Sequence, residues 1–213
     1  PENTRQVREI LRCCRRLGVP VVTRGAGTGL SGGALPFAGG LLLVLTRLNR
    51  ILELDVAART VRVEPGVRNL AVSEAAAPHG LYYAPDPSSQ IACSIGGNVA
   101  ENSGGVHCLK YGLTVHNILE VKMVMADGEL LTIGGESLDS AGYDLLALLT
   151  GSEGMLGIVV EVRIKLLPTP ERAQVMLAAF DDVVKAAAAV GEIIAAGIIP
   201  DVDNQSLYPR LFN

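Results

Sequence analysis

A chain of 213 residues, 49% of them hydrophobic and with a positive mean hydropathy, has the apolar material for one good-sized domain, or one domain and part of another. Its richest apolar stretch, Ala186 to Pro200, is interrupted by Glu192 and falls short of the roughly 18 residues that a membrane span needs. A net charge of −4, with no block of Lys or Arg, no Trp and only three Phe, excludes the basic, aromatic-interleaved surface of a nucleic-acid binder.

Asn3 followed by Gln6 resembles a capping box, and Val7, Ile10, Leu11, Cys14 and Leu17 form an apolar stripe at helical spacing, so a helix runs until Gly18 and Pro20 close it. Val19 to Thr23 reads as a buried strand that leads into Arg24-Gly25-Ala26-Gly27-Thr28-Gly29-Leu30-Ser31-Gly32-Gly33. Five glycines in these ten residues let bare backbone approach a ligand, and successive N–H groups can converge into a nest that suits a phosphate. Thr28 and Ser31 add hydroxyl donors and Arg24 a fixed charge; the alternative is an ordinary Gly-rich turn. There is no lysine for a Walker loop. Gly27 to Gly32 fits Gly-x-Gly-x-x-Gly, but Pro36 and the pair Gly39-Gly40 forbid the helix that a dinucleotide fingerprint requires. The loop therefore binds an anion within a different fold.

Leu41 to Leu45 reads as a fully buried strand, and Ile51 to Val56 with Thr60 to Val63 as a hairpin. Asn69 caps a helix through about Pro78, ended by Gly80, and Pro85 and Pro87 then fix an extended turn from Leu81 to Ser89. Ser94 to Gly105 is a second run of small residues in which Asn98 and Asn102, four apart, share a helical face. With the first loop, these glycine-asparagine stretches predict a site enclosing one long polar ligand. Leu119 to Ala126 alternates and turns at Asp127-Gly128 into Glu129 to Ile133. Asp144 to Leu149 reads as a short buried helix, and Thr150 to Val159 as a third Gly-rich turn entering a strand. In that strand Val160, Val162, Ile164 and Leu166 face one way, and Glu161, Arg163 and Lys165 the other. After the linker Pro168-Thr169-Pro170, a strand from Ala173 to Phe180 precedes a helix capped by Asp181, with Val183, Ala187, Val190 and Ile194 on one face; Gly197 and Pro200 stop it. One strand and one helix cannot bury their own apolar faces. Residues 1–170 therefore read as one domain and 171–213 as the truncated beginning of a second. The first residue is Pro1 and no signal sequence is evident, which reads as a piece of a longer protein. The four cysteines, Cys13, Cys14, Cys93 and Cys108, lack Cys-x-x-Cys spacing and read as reduced, small buried residues of a cytosolic protein.

Arg24-Gly25-Ala26-Gly27-Thr28-Gly29, Pro85-Asp86-Pro87, Ser94-Ile95-Gly96-Gly97-Asn98, Asn102-Ser103-Gly104-Gly105 and Gly151-Ser152-Glu153-Gly154 stand in the order and approximate spacing of one family. The chain resembles the FAD-binding domain of the vanillyl-alcohol-oxidase/p-cresol-methylhydroxylase (PCMH) type. Within it, the chain is most similar to the branch of the bacterial glycolate oxidase flavoprotein subunit and the D-lactate and D-2-hydroxyglutarate dehydrogenases. The resemblance implies an α+β fold of two subdomains, one with a small mainly parallel sheet and one antiparallel, with an extended FAD between them and an α+β cap domain after them. It implies that Arg24, Gly25, Ala26, Gly27, Thr28, Gly29, Ser31 and Gly32 wrap the FAD pyrophosphate. Pro85, Asp86, Ser88, Ser94, Gly96, Gly97 and Asn98 would border the ribityl chain and ring, with Asn102 and Gly105 continuing that contact. Glu153, Gly157, Ile158 and Val159 would approach the flavin and adenine.

Some members hold the flavin covalently through a His in the first loop. Thr28 stands there in this chain, which implies noncovalent FAD; His107 and His116 are expected to be structural, with ring contact as the alternative. The implied reaction is oxidation of a small 2-hydroxy acid, such as glycolate or D-lactate, to the keto acid with hydride transfer to FAD. Relatives carry the substrate arginine and the metal-binding or base histidines in the cap domain, so no catalytic residue and no metal ligand is assigned here. A second flavin subunit and an iron–sulfur subunit are the implied partners, in the cytoplasm and in association with the inner face of the membrane through them. Two other readings stay open, a noncatalytic flavin-binding subunit and another flavin oxidoreductase of this fold, such as a sugar-nucleotide reductase. Residues 201–213 depart from the family pattern.

Overall fold

The computed structural model describes residues 1–136, 142–172 and 178–199. Helix α1 (Thr4–Leu17) opens with Asn3 Oδ1 accepting from the Gln6 amide at 3.0 Å, and it ends on Gly18 in the left-handed conformation. The return arm of the capping box is displaced by one residue, because Gln6 Oε1 accepts from Glu2 N rather than from Asn3 N. Val7, Leu11 and Cys14 are buried, while Leu17 in the last turn is exposed. Strand β1 (Val21–Arg24) pairs in parallel with β2 (Leu41–Val44), so the glycine-rich loop itself is the crossover between parallel neighbours.

Next along the chain come β3 (Ile51–Asp55) and β4 (Thr60–Val63), then α2 (Asn69–Ala76), β5 (Leu81–Tyr82) and the short helices α3 (Ile95–Glu101) and α4 (Cys108–Tyr111). The remaining elements are β6 (Ile118–Val124), β7 (Leu130–Gly134), α5 (Leu145–Leu149), β8 (Ile158–Lys165), β9 (Leu167–Pro168) and α6 (Val183–Ala195). The architecture is α+β. A five-stranded antiparallel sheet in the order β3-β4-β8-β6-β7 accompanies the parallel pair β1-β2 and a small antiparallel pair β5-β9. Among the described residues no helix is long and apolar enough to cross a membrane.

Two cores lie on opposite faces of the large sheet, and a bulge explains how one strand feeds both. Lys122 pairs with Glu161 but Met123 with Val159, leaving Val160 as the extra residue. Side-chain alternation reverses there. Val162, Ile164 and Leu166 join Val61, Val121, Met123 and the helix residues Val72, Ile95 and Val99. Val160 and Ile158 instead join Val7 and Leu11 of α1 and Leu43 of β2. The expected grouping of Val160 with Val162 is thus corrected.

Other expectations are also corrected. The strands flanking the glycine loop are half-buried, with Leu43 and Leu45 inside but Val44 exposed, because α1 covers one face of the pair. In α5 only Leu149 is buried. Asn69 is the first helical residue of α2 and not its cap, since its side chain is bonded elsewhere. Asp182 rather than Asp181 caps α6, and Asp181 pairs with Lys185. Much of the expected 173–180 strand, along with Pro200 and residues 201–213, lies outside the described residues.

Candidate functional site

The three glycine-rich stretches, far apart in sequence, converge on one groove. Its wider part, about 270 Å³, has the first loop from Gly25 to Ser31 as one wall and Ser94, Gly97, Asn98 and Glu101 as the other. A narrower hollow of about 60 Å³ adjoins it, reaching Leu45, Pro65, Gly96 and the third turn at Ser152 to Gly154 and Gly157 to Val159. Thr23, Gly25, Gly97, Ala100 and Glu153 border both.

Absence of a side chain is what lets these walls meet. A Cβ on Gly25 would lie 2.5 Å from Ser94 Oγ, far inside contact distance. That hydroxyl is buried and has no hydrogen-bond partner among the described residues. A buried hydroxyl left unpaired costs free energy, of order 1–3 kcal/mol, and a ligand acceptor in the groove recovers it. Behind the first loop, the Arg24 guanidinium packs against Gly27. The loop also meets a carboxylate, since Ser31 Oγ donates to Glu101 Oε1 at 3.1 Å and Oε2 at 3.3 Å. The single hydroxyl proton of Ser31 is therefore committed to Glu101.

A buried amide relay supports the wall opposite the loop. Asn98 Nδ2 donates to Asn69 Oδ1 at 2.8 Å, and Asn69 Nδ2 donates to the Pro85 carbonyl at 2.9 Å. This links the start of the Pro-Asp-Pro turn to α3. The same segment is held by the Tyr83 amide donating to Ser73 Oγ at 3.1 Å. Burial pushes the Tyr83 phenol well above its ordinary pKa, so it is neutral throughout the physiological range. Asp86 Oδ2 lies 2.6 Å from His107 Nδ1, while its Oδ1 is buried without a partner among the described residues. His116 Nδ1 accepts from the Leu113 amide at 3.1 Å. Both histidines thus make structural hydrogen bonds.

Of the residues expected to touch cofactor, Gly25, Ala26, Gly27, Thr28, Gly29, Ser31, Ser94, Gly97, Asn98 and Glu153 line the wider part, and Gly96, Gly157, Ile158 and Val159 the narrower one. Arg24, Gly32, Pro85, Asp86, Ser88, Asn102 and Gly105 do not line it. Asn102 instead ends α3 in the left-handed conformation and accepts the Val115 amide on Oδ1. Asp86 and Gly105 are brought together, backbone against side chain. Sequence reasoning missed Thr23, Ser89, Cys93, Ala100, Glu101, Ser103 and the supporting Asn69. Glu101 was accessible to it, one helical turn after Gly97 on the same face. Asn69 was not, because its partner is 29 residues away.

The donor set fits an extended polar ligand with an anionic segment. Uncovered backbone and the hydroxyls of Thr28 and Ser94 are groups of the kind that hold a pyrophosphate and its flanking sugars, with the Arg24 guanidinium packed behind the loop. The FAD binding domain family matches residues 1–134. The chain is 65% identical over 211 residues to glycolate oxidase subunit GlcD of Escherichia coli (strain K12), covering 97% of this chain and 42% of that protein. It is 35% identical over 199 residues to D-lactate dehydrogenase of Anaerostipes hadrus, covering 93% and 42%. In fold it is similar to a solved alkyldihydroxyacetonephosphate synthase, with TM-score 0.78 and 22% identity over 94% of this chain and 40% of that one. The chain thus spans less than half the length of the curated relatives it matches.

Proposed function

The chain belongs to the FAD binding domain family, and on that premise we propose that it is the cofactor-holding part of a 2-hydroxy-acid dehydrogenase acting on glycolate or D-lactate. The observation that carries the reading is the convergence of three glycine-rich stretches on one groove containing a buried Ser94 hydroxyl that has no partner among the described residues. Similarity to a glycolate oxidase subunit and a D-lactate dehydrogenase supports the substrate class. FAD, when bound, supplies the two-electron oxidation of the α-hydroxy acid.

The protein's own part is binding and orientation. The first loop, from Arg24 to Gly29 with Ser31 and Gly32, holds the pyrophosphate through backbone and hydroxyl donors. Ser94, Gly96, Gly97 and Asn98 border the ribityl chain and ring, while Pro85, Asp86, Ser88, Asn102 and Gly105 brace that wall. Glu153, Gly157, Ile158 and Val159 close the far side of the groove. With Thr28 where a covalent link would require His, the attachment is noncovalent. Residues 1–170 form the cofactor domain and 171–213 begin a second. That boundary is supported by β9 at Leu167–Pro168, tied back through β5, and by α6, which has no buried residue. GlcD is named as a subunit, and we extend that to this chain, placing it in the cytoplasm in a complex with a second flavin subunit and an iron–sulfur subunit.

The test is anaerobic addition of glycolate or D-lactate to the FAD-loaded full-length protein. Either acid is expected to bleach the flavin's visible band. A band left unchanged by both, and by other 2-hydroxy acids, sinks the proposed activity.

A further inference from the structure

The hydrogen-bonding polarity of the cavity wall at Asn98 is fixed from outside the cavity. The Pro85 carbonyl can only accept, so Asn69 presents Nδ2 to it. That orientation turns Asn69 Oδ1 toward Asn98. Because Oδ1 can only accept, Asn98 presents Nδ2 in return. The two residues are 1% and 2% exposed, so reversing either amide would set acceptor against acceptor or leave a buried group unpaired. With one Nδ2 proton committed to Asn69, the flip state of the Asn98 amide is fixed, and Oδ1 is left as an acceptor for the cavity that Asn98 lines. Four residues earlier, on the same face, stands the unpartnered donor Ser94 Oγ.

Resting on the FAD site proposed above, we propose that Asn69 is a positioning residue: it sets Asn98 as an acceptor for a hydrogen-bond donor of the cofactor, beside Ser94 as donor. Asn69 does not line the cavity itself, so its influence on cofactor binding passes through Asn98.

The test uses Asn69→Leu and Asn69→Asp in the full chain, with FAD binding followed by quenching of flavin fluorescence and folding followed by melting temperature. Asn69→Leu removes both arms of the relay and is expected to weaken FAD binding by about tenfold or more. In Asn69→Asp the protonated acid donates O–H to Pro85 and accepts from Asn98, preserving both arms. The carboxylate cannot donate and faces the Pro85 carbonyl. Burial at this 1% exposed position raises the carboxyl's pKa above its ordinary value, so Asn69→Asp is expected to bind FAD within a few-fold of wild type near pH 5 and about tenfold or more weaker near pH 8, while wild type changes little across the same range. An Asn69→Asp variant with pH-independent affinity, or a folded Asn69→Leu variant with wild-type affinity, overturns the proposal. If both variants fail to fold, the wild-type side-chain amides decide: the Asn98 Nδ2 protons are expected to exchange slowly with and without FAD, and fast exchange overturns the relay. A wild-type chain that takes up no FAD overturns the site reading, whereas the exchange measurement still tests the relay.

Discussion

Gly105 has no room for a side chain. A Cβ there would overlap the backbone carbonyl and the carboxylate of Asp86, a neighbour that cannot give way because Pro85 before it is pinned by Asn69 and His107 holds its other oxygen. Gly105→Ala is expected to cost about 1–3 kcal/mol by overpacking, lowering the melting temperature by several degrees. Because any movement of Asp86 strains the Pro85–Asn69 contact behind the groove wall, the variant is also expected to loosen FAD. An unchanged melting temperature would mean that this contact is softer than the geometry implies. At this scale the sequence was readable where a residue type is restrictive: the glycines of the first loop and Ser94 could be singled out as ligand-facing. Asn98 and Asn102 looked equivalent by spacing, yet α3 ends at Glu101. Asn102, one of the few non-glycine residues suited to the left-handed conformation, turns out of the helix to cap it.

The bulge at Val160 is the element on which the two cores depend. Val160 belongs with Val7 and Leu11 on the α1 side, while Val162 belongs with Val61 on the other. Val160→Ala is expected to be energetically coupled to Val7→Ala, by about 0.5 kcal/mol or more, and to add independently with Val61→Ala. Denaturant unfolding of the single and double variants measures both cycles; coupling to Val61 instead would place Val160 on the other face. The hairpins were legible because Asp127-Gly128 and the alternation around it are local signals. The bulge was not, since an unbroken Ile158-Val159-Val160 run has no polar residue to mark where alternation reverses. The continuous apolar run of β2 likewise hid that only one of its faces meets a core, and α5 looked buried from composition although only Leu149 is buried, with Leu146 partly buried against the same core.

Across the whole molecule, the ordered motifs conveyed fold class and cofactor class better than they conveyed individual contacts. Spacing along the chain records which loops belong together, but which residues reach the groove and which brace it depends on pairings such as Asn69 with Asn98 that no local pattern encodes. A net charge of −4, and a groove bordered by Glu101 and Glu153 but, among the described residues, by no Lys or Arg, leave backbone amides, hydroxyls and the guanidinium behind the loop to hold an anionic cofactor. Such a site depends on shape, and so on the three stretches staying in register. The most direct test of that account is the visible spectrum of the purified full chain supplied with FAD, repeated after acid precipitation. A flavin band is expected to stay with the protein through gel filtration and to pass into the supernatant on acid treatment. A protein that remains colourless would contradict the cofactor site, and a yellow pellet would contradict noncovalent attachment at Thr28.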